Sequence, residues 1–150
     1  MNLLKPILLV EDNPNDVELT LTALSSTGLA NDVVVTRDGA EAKDYLFRQG
    51  IYKDREPGLP TVVLLDLKLP KIDGLELLQI IRDDPNMANL PVVILTSSRE
   101  ERDVSAGYDL GSNAYVVKPV AFNDFIKAIQ DLGIFWAVIN EPPPGAFRRR

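Results

Sequence analysis

Thr61-Val62-Val63-Leu64-Leu65-Asp66 is the stretch on which the reading of the whole chain turns. It has the length of a strand, is rich in β-branched residues, and shows no apolar/polar alternation before a carboxylate ends it. A strand with one face in water alternates, whereas a strand covered on both faces does not. The run therefore predicts a parallel sheet sandwiched between helices.

Outward from this run the same unit recurs. Ile7 to Val10, Asp32 to Thr36, Val92 to Leu95 and Ala114 to Val117 are further runs of strand length, and stretches of helical period separate them. Asn13-Pro14 supplies an N-cap and a first-turn proline for a helix bearing Val17, Leu21 and Leu24, with Gly28 as its stop. Asp38 caps a second helix through Ala42, Tyr45 and Leu46 that runs until Gly50. Ile51 to Pro60 is polar and aperiodic, a loop longer than usual and a candidate contact surface. Asp73-Gly74 reads as a turn and helix start before Leu75, Leu78 and Ile81. A polar helix through Tyr108 follows the fourth strand. The last helix places Phe122, Phe125, Ile126, Ile129 and Leu132 on one face. If it continues past Gly133, then Ile134, Phe135 and Val138 leave that stripe while Trp136 and Ile139 stay on it.

Composition narrows the chemistry. With 150 residues, 45% apolar and 25% charged, the chain is one globular domain. Its formal charge of -6 repels nucleic acid and anionic lipid alike, so neither is an expected partner. The absence of Cys and His excludes thiol nucleophiles, disulfides, imidazole acid–base chemistry and the usual zinc ligands. No apolar run approaches the roughly 18 residues that a membrane span requires, and the expected location is the cytoplasm.

Carboxylates, hydroxyls and lysine remain, and they fall at the strand ends: Glu11-Asp12, Asp66, Thr96 and Lys118. In an open parallel sheet, ligands bind beyond the carboxyl ends of the strands where strand order reverses. With order 2-1-3-4-5, Asp66 lies beside Glu11-Asp12 at that reversal, and Thr96 and Lys118 share the rim. Three clustered carboxylates need a cation or a raised pKa. Oxygen-rich Glu11, Asp12 and Asp66 suit Mg²⁺, and Lys118 and Thr96 suit phosphoryl oxygens. Asp66, central among them, is the best-placed nucleophile toward phosphorus, and the resulting acyl phosphate is labile enough to serve as a signal.

The acidic pair, Val62-Val63-Leu64-Leu65-Asp66-Leu67-Lys68-Leu69-Pro70, Asp73-Gly74, Thr96-Ser97 and Lys118-Pro119, taken in this order, resemble the bacterial response regulator receiver domain, from about Pro6 to Leu132. The resemblance implies a doubly wound (βα)5, flavodoxin-like three-layer α/β sandwich over residues 1–140 with a flexible tail over 141–150. It implies that Asp66 accepts a phosphoryl group from a sensor kinase phosphohistidine, and that Asp12, Asp66 and the Lys68 main-chain carbonyl hold Mg²⁺ while Glu11 binds a metal-coordinated water. It further implies that Thr96 moves toward the phosphoryl group, that Tyr115 rotates inward, and that the Lys118–Pro119 bond is cis. Lys68 and Ser98 occupy places that tune hydrolysis, and neither is a carboxylate or amide able to orient water, so a long-lived phosphorylated state is expected. Among receivers, the chain is similar to the short single-domain regulators of phytochrome-type sensor histidine kinases. The insert before Thr61 and Phe135-Trp136 with Asn140-Glu141-Pro142-Pro143 carry that narrower likeness.

The apolar residues around Phe135 and Trp136 exceed what one side of a helix can bury internally. They suggest a homodimer through the surface of the fourth helix, fifth strand and fifth helix together with this extension. Other readings compete. An aspartate-nucleophile phosphatase wants a second acid two residues after the nucleophile, where Lys68 stands; a flavin binder wants amides and hydroxyls where Glu11-Asp12-Asn13 stands; a phosphorylation-independent interaction module needs none of the rim chemistry.

Overall fold

Five four- to five-residue strands form one parallel sheet in the order β2-β1-β3-β4-β5. They are β1 (Ile7–Val10), β2 (Val33–Thr36), β3 (Val62–Leu65), β4 (Val92–Thr96) and β5 (Ala114–Val117). The computed structural model describes residues 5–141, apart from the Val138 side chain; of the expected flexible tail over 141–150, all but Glu141 lies outside the described residues. β1, β3 and β4 are buried at every position, which is why their sequences do not alternate.

The hidden alternation separates two cores. Leu8, Val10, Val63, Leu65, Val92 and Ile94 meet Ala42, Tyr45 and Leu46 of α2 (Gly39–Phe47) and Leu77, Leu78 and Ile81 of α3 (Gly74–Asp83). On the other face, Ile7, Leu9, Val62, Leu64 and Val93 pack with Val17 of α1 (Pro14–Ser25), while Leu95 joins Leu24 with Phe125 and Ile129 of α5 (Phe122–Ile134). The expected layered architecture and strand order are both present. α4 (Glu101–Asp109) lies against β5 on the same face as α2 and α3, and buries only Gly107, over Ile94 and Tyr115. No helix among the described residues is long and apolar enough to cross a membrane.

The caps expected at Asn13 and Asp38 hold, and Asp73, read as a turn and helix start, caps its helix as well: each accepts a backbone N–H from three residues on. Some boundaries do not. α2 stops at Phe47, before Gly50, because Arg48 takes the left-handed conformation at φ 56. The insert after it is ordered by contacts rather than by period. It opens with a 3₁₀ turn over Gly50–Tyr52, and the Arg55 guanidinium lies 4.1 Å over the Tyr45 ring while donating to the carbonyls of Tyr45, Glu56 and Gly58. Tyr52 packs edge-on to Tyr45 and donates to Glu41 Oε2 at 2.7 Å; burial and this acid push its phenol up to about 12.

The last helix departs from its expected stripe at both ends. Phe122 is 60% exposed, because it is the first residue of α5, a turn before the part that reaches the core at Phe125. Past Ile134 the chain continues as a π-helix over Phe135–Ile139, with one residue more per backbone turn. Ile134 and Phe135 are exposed and Trp136 is half-buried, as the helical period predicts. Ile139 is 66% exposed, contrary to that period, because each residue of the wider turn rotates by less and the phase falls behind. The expectation for the Val138 side chain lies outside what is described. The peptide bond before Pro119 is trans, not cis, since no cis peptide occurs among the described residues. Trans is the state an X–Pro bond prefers by about 0.5–1 kcal/mol, and Lys118 reaches its partners with that geometry.

Candidate phosphoryl-acceptor site

The site lies at the carboxyl edge of the sheet, where β1 and β3 pair in register and helices leave in opposite directions. Val10 pairs with Leu65, so Glu11 and Asp66, each one residue further, emerge side by side. The Asp66 backbone is fixed by its N–H donating to the Val10 carbonyl at 3.1 Å, and its Oδ1 accepts the Leu67 N–H at 2.7 Å. The loop that follows folds back tightly. Gly74 N–H donates to the Leu67 carbonyl, and a Cβ at Gly74 would stand 2.3 Å from the Asp66 carbonyl oxygen, so Asp73-Gly74 is structural, as its sequence suggests.

Lys118 enters from the end of β5 and is nearly buried, with 9% of its side chain exposed. Its Nζ donates to Glu11 Oε1 at 2.7 Å, Asp16 Oδ2 at 2.8 Å and Asp66 Oδ2 at 3.1 Å. Burial alone would lower the Lys118 pKa, but the hydrogen bonds to Asp16 and Glu11 and the charge of Asp66 outweigh it and hold the ammonium above its ordinary range. Glu11 behaves oppositely. Burial raises its carboxyl to about 7 against the pull of Lys118, and the neighbouring charge of Asp66 adds to the rise. One lysine does not neutralise this cluster.

Glu11, Asp12 and Asp66 each offer a carboxylate oxygen, and these oxygens lie within 4.8 Å of one another. Glu11 and Asp66 are buried and Asp12 is exposed, so the cluster opens to solvent on the Asp12 side. An all-oxygen donor set with excess negative charge fits a hard divalent cation.

The other expected residues stand around this centre in different ways. Thr96 is buried at the end of β4 and its carbonyl accepts the Lys118 N–H at 2.7 Å, which ties it to the lysine through the backbone. Its hydroxyl oxygen faces the Ser98 N–H at 3.5 Å. Tyr115 is half-buried, and its hydroxyl donates to the Ser98 carbonyl at 2.9 Å, while Ser98 Oγ donates to Asp103 of α4. Lys68 lies two residues past Asp66 with an exposed side chain. Phe135 and Trp136, packed edge-on at 5.2 Å, belong to the far end of α5, away from the rim. Sequence reading missed Asp16. An acid in the first turn of a helix looks like ordinary complement to the helix dipole, and only the position of that turn directly after the Glu11-Asp12 pair hints at more.

Comparison with known proteins places the chain in a family. Residues 7–130 match the model of the response regulator receiver domain. The chain is 39% identical over 132 residues to response regulator Rcp1 of Synechocystis sp., covering 88% of each. The crystal structure of the Mn²⁺-bound form of Rcp1 superposes with a TM-score of 0.87 at 38% identity, covering 93% of this chain and 99% of that one. The phosphorylated cyanobacterial phytochrome response regulator RcpA gives the same TM-score, identity and coverage. The bacteriophytochrome response regulator AtBRR is 64% identical with a TM-score of 0.74, covering 92% of this chain and 99% of that one. A family model that begins in β1 and ends inside α5 takes in the whole sheet and its acidic rim, and the chain belongs to the response regulator receiver domain family.

Proposed function

We propose that the chain is a single-domain response regulator of a two-component phosphorelay, and that Asp66 accepts a phosphoryl group from the phosphohistidine of a phytochrome-type sensor histidine kinase. The observation that carries this reading is the Asp66 carboxylate itself: buried at the sheet edge, paired to Lys118, and grouped with two further acids. Its relatives' names supply the kind of kinase.

In the transfer, a carboxylate oxygen of Asp66 forms the O–P bond while the donor's N–P bond breaks, and that electron pair leaves on the imidazole nitrogen. Lys118 supplies a fixed positive charge against the phosphoryl oxygens. Asp12, Asp66 and the Lys68 main-chain carbonyl would hold Mg²⁺, with Glu11 on one of its waters; when bound, the ion neutralises charge on the transferred group. Thr96 offers its hydroxyl to a phosphoryl oxygen, and its movement, together with rotation of Tyr115, would release the Ser98 contacts and change the α4–β5–α5 surface. The chemistry is self-catalysed acceptance and slow hydrolysis, without turnover of an external metabolite, and the same reading puts the protein in the cytoplasm.

The proposed response is a change in protein contacts, with homodimerisation through the α4–β5–α5 face and the C-terminal extension. Exposed Ile134, Phe135 and Ile139 support an apolar partner surface there. Incubation with acetyl phosphate and Mg²⁺ is expected to add the mass of one phosphoryl group, and Asp66→Asn to add none. An equal gain in that variant would overturn the assignment. A truncation at Gly133 that left the mass in solution unchanged would remove the dimer from it.

A further inference from the structure

We infer that Asp16 is a positioning residue for phosphoryl uptake: with Glu11 it fixes two N–H bonds of the Lys118 ammonium, so that the third stays aimed at Asp66. The inference rests on the reading of Asp66 as the phosphoryl acceptor.

An ammonium has three N–H donors, and each of those on Lys118 meets a different carboxylate. The two shorter bonds, 2.7 and 2.8 Å, go to groups that do not react, and the longest, 3.1 Å, goes to the one that does. Lysine carries its charge on a flexible stem with little directional preference of its own. Held by Glu11 alone, the ammonium could swivel about that bond. A second anchor on a separate element, the first turn of α1, triangulates it. As the phosphoryl group forms on Asp66, negative charge moves outward onto its oxygens and one N–H must follow. The other two keep their partners, and no proton changes hands.

Two observations separate this role from an ordinary helix-terminal acid. The cap of α1 is Asn13, whose Oδ1 accepts the Asp16 N–H, so the Asp16 carboxylate is not needed as a cap. That carboxylate instead turns to a lysine 102 residues away in sequence. Charge alone also argues the other way: another negative group beside an anion site repels an acyl phosphate, so neutralising it should speed uptake. Positioning requires that uptake slow.

The test follows the intact mass of wild type, Asp16→Asn and Asp16→Glu over time, with acetyl phosphate varied at saturating Mg²⁺ and thermal melts run in parallel. Asp16→Asn is expected to lower the maximum uptake rate about tenfold, the low end for partners that orient a reacting group. The acetyl phosphate concentration for half-maximal rate should stay the same or fall. Asp16→Glu, which keeps the anchor, should restore most of the rate. Asp16→Ser repeats the measurement should Asp16→Asn melt early. A maximum rate in Asp16→Asn equal to or above that of wild type overturns the inference, as does a loss appearing wholly as a higher Mg²⁺ requirement. Wild type that gains no phosphoryl mass would instead refute the acceptor reading, a result visible before any variant is compared.

Discussion

If the acidic cluster holds Mg²⁺ as proposed, Glu11 would make its binding a proton-linked event, and the linkage can be worked out in sign and size. In the metal-free chain its carboxyl is raised from 4.5 to about 7, chiefly by burial. The folded chain therefore holds this proton more tightly than the unfolded chain does. The stability this group contributes is fully present below the unfolded value and is lost as pH rises through about 7. At about 1.4 kcal/mol per pH unit, the interval amounts to roughly 3 kcal/mol opposing folding above neutrality. A dication in the cluster must displace the proton, so Mg²⁺ affinity should climb with pH by up to about tenfold per unit below neutrality and level off above it. Urea unfolding between about pH 5 and 8, with and without Mg²⁺, reads both effects. The metal-free midpoint should fall as pH rises, Mg²⁺ should close the gap, and Glu11→Gln should flatten both curves. Equal Mg²⁺ affinity at the two ends of that range, or an unchanged slope in Glu11→Gln, would refute the reasoning.

Three other outcomes follow from the geometry. Gly39→Ala would put a Cβ 1.8 Å from the Ile72 carbonyl oxygen, a backbone atom in the loop after Asp66, and should lower the unfolding free energy by about 3 kcal/mol or more; a urea midpoint within error of wild type would contradict it. Arg55→Ala removes the guanidinium over Tyr45 and its bonds to four carbonyls, and should destabilise by about 2 kcal/mol while opening residues 51–60 to limited proteolysis; unchanged cleavage kinetics would contradict that. The phosphorylated state should outlast seconds in purified protein, because neither exposed Lys68 nor Ser98, whose hydroxyl is committed to Asp103, can orient an attacking water; loss of the added mass within seconds would count against it.

The strands and the rim were legible in the sequence for one reason. A strand covered on both faces must be apolar throughout, so the first polar residue after it marks the sheet edge, as at Glu11 and Asp66. Caps were equally readable, since Asn13, Asp38 and Asp73 act within three residues of themselves. What escaped depends on contacts distant in sequence or on backbone states that non-glycine residues rarely signal. Asp16 resembles any first-turn acid until Lys118 arrives from the other end of the chain. Arg48 ends a helix in a conformation usually left to glycine, and Arg55 orders an aperiodic loop by reaching back to α2. Ile139 followed the wrong period because no side chain advertises a π turn.

That π turn makes the C-terminal surface adjustable on its own. A wide turn of this kind is equivalent to one surplus residue in an α-helix, so deleting a single position within Phe135–Ile139 would return the segment to ordinary winding and change which of its side chains face outward. Trp136 and Ala137, which pack on the core beside Ile7 and Leu9, would have to readjust, while the acidic rim at the opposite end of the sheet would be untouched. On the proposed reading of this face as a partner surface, one codon loss there would change which apolar side chains it offers, with Glu11, Asp66 and Lys118 left in place.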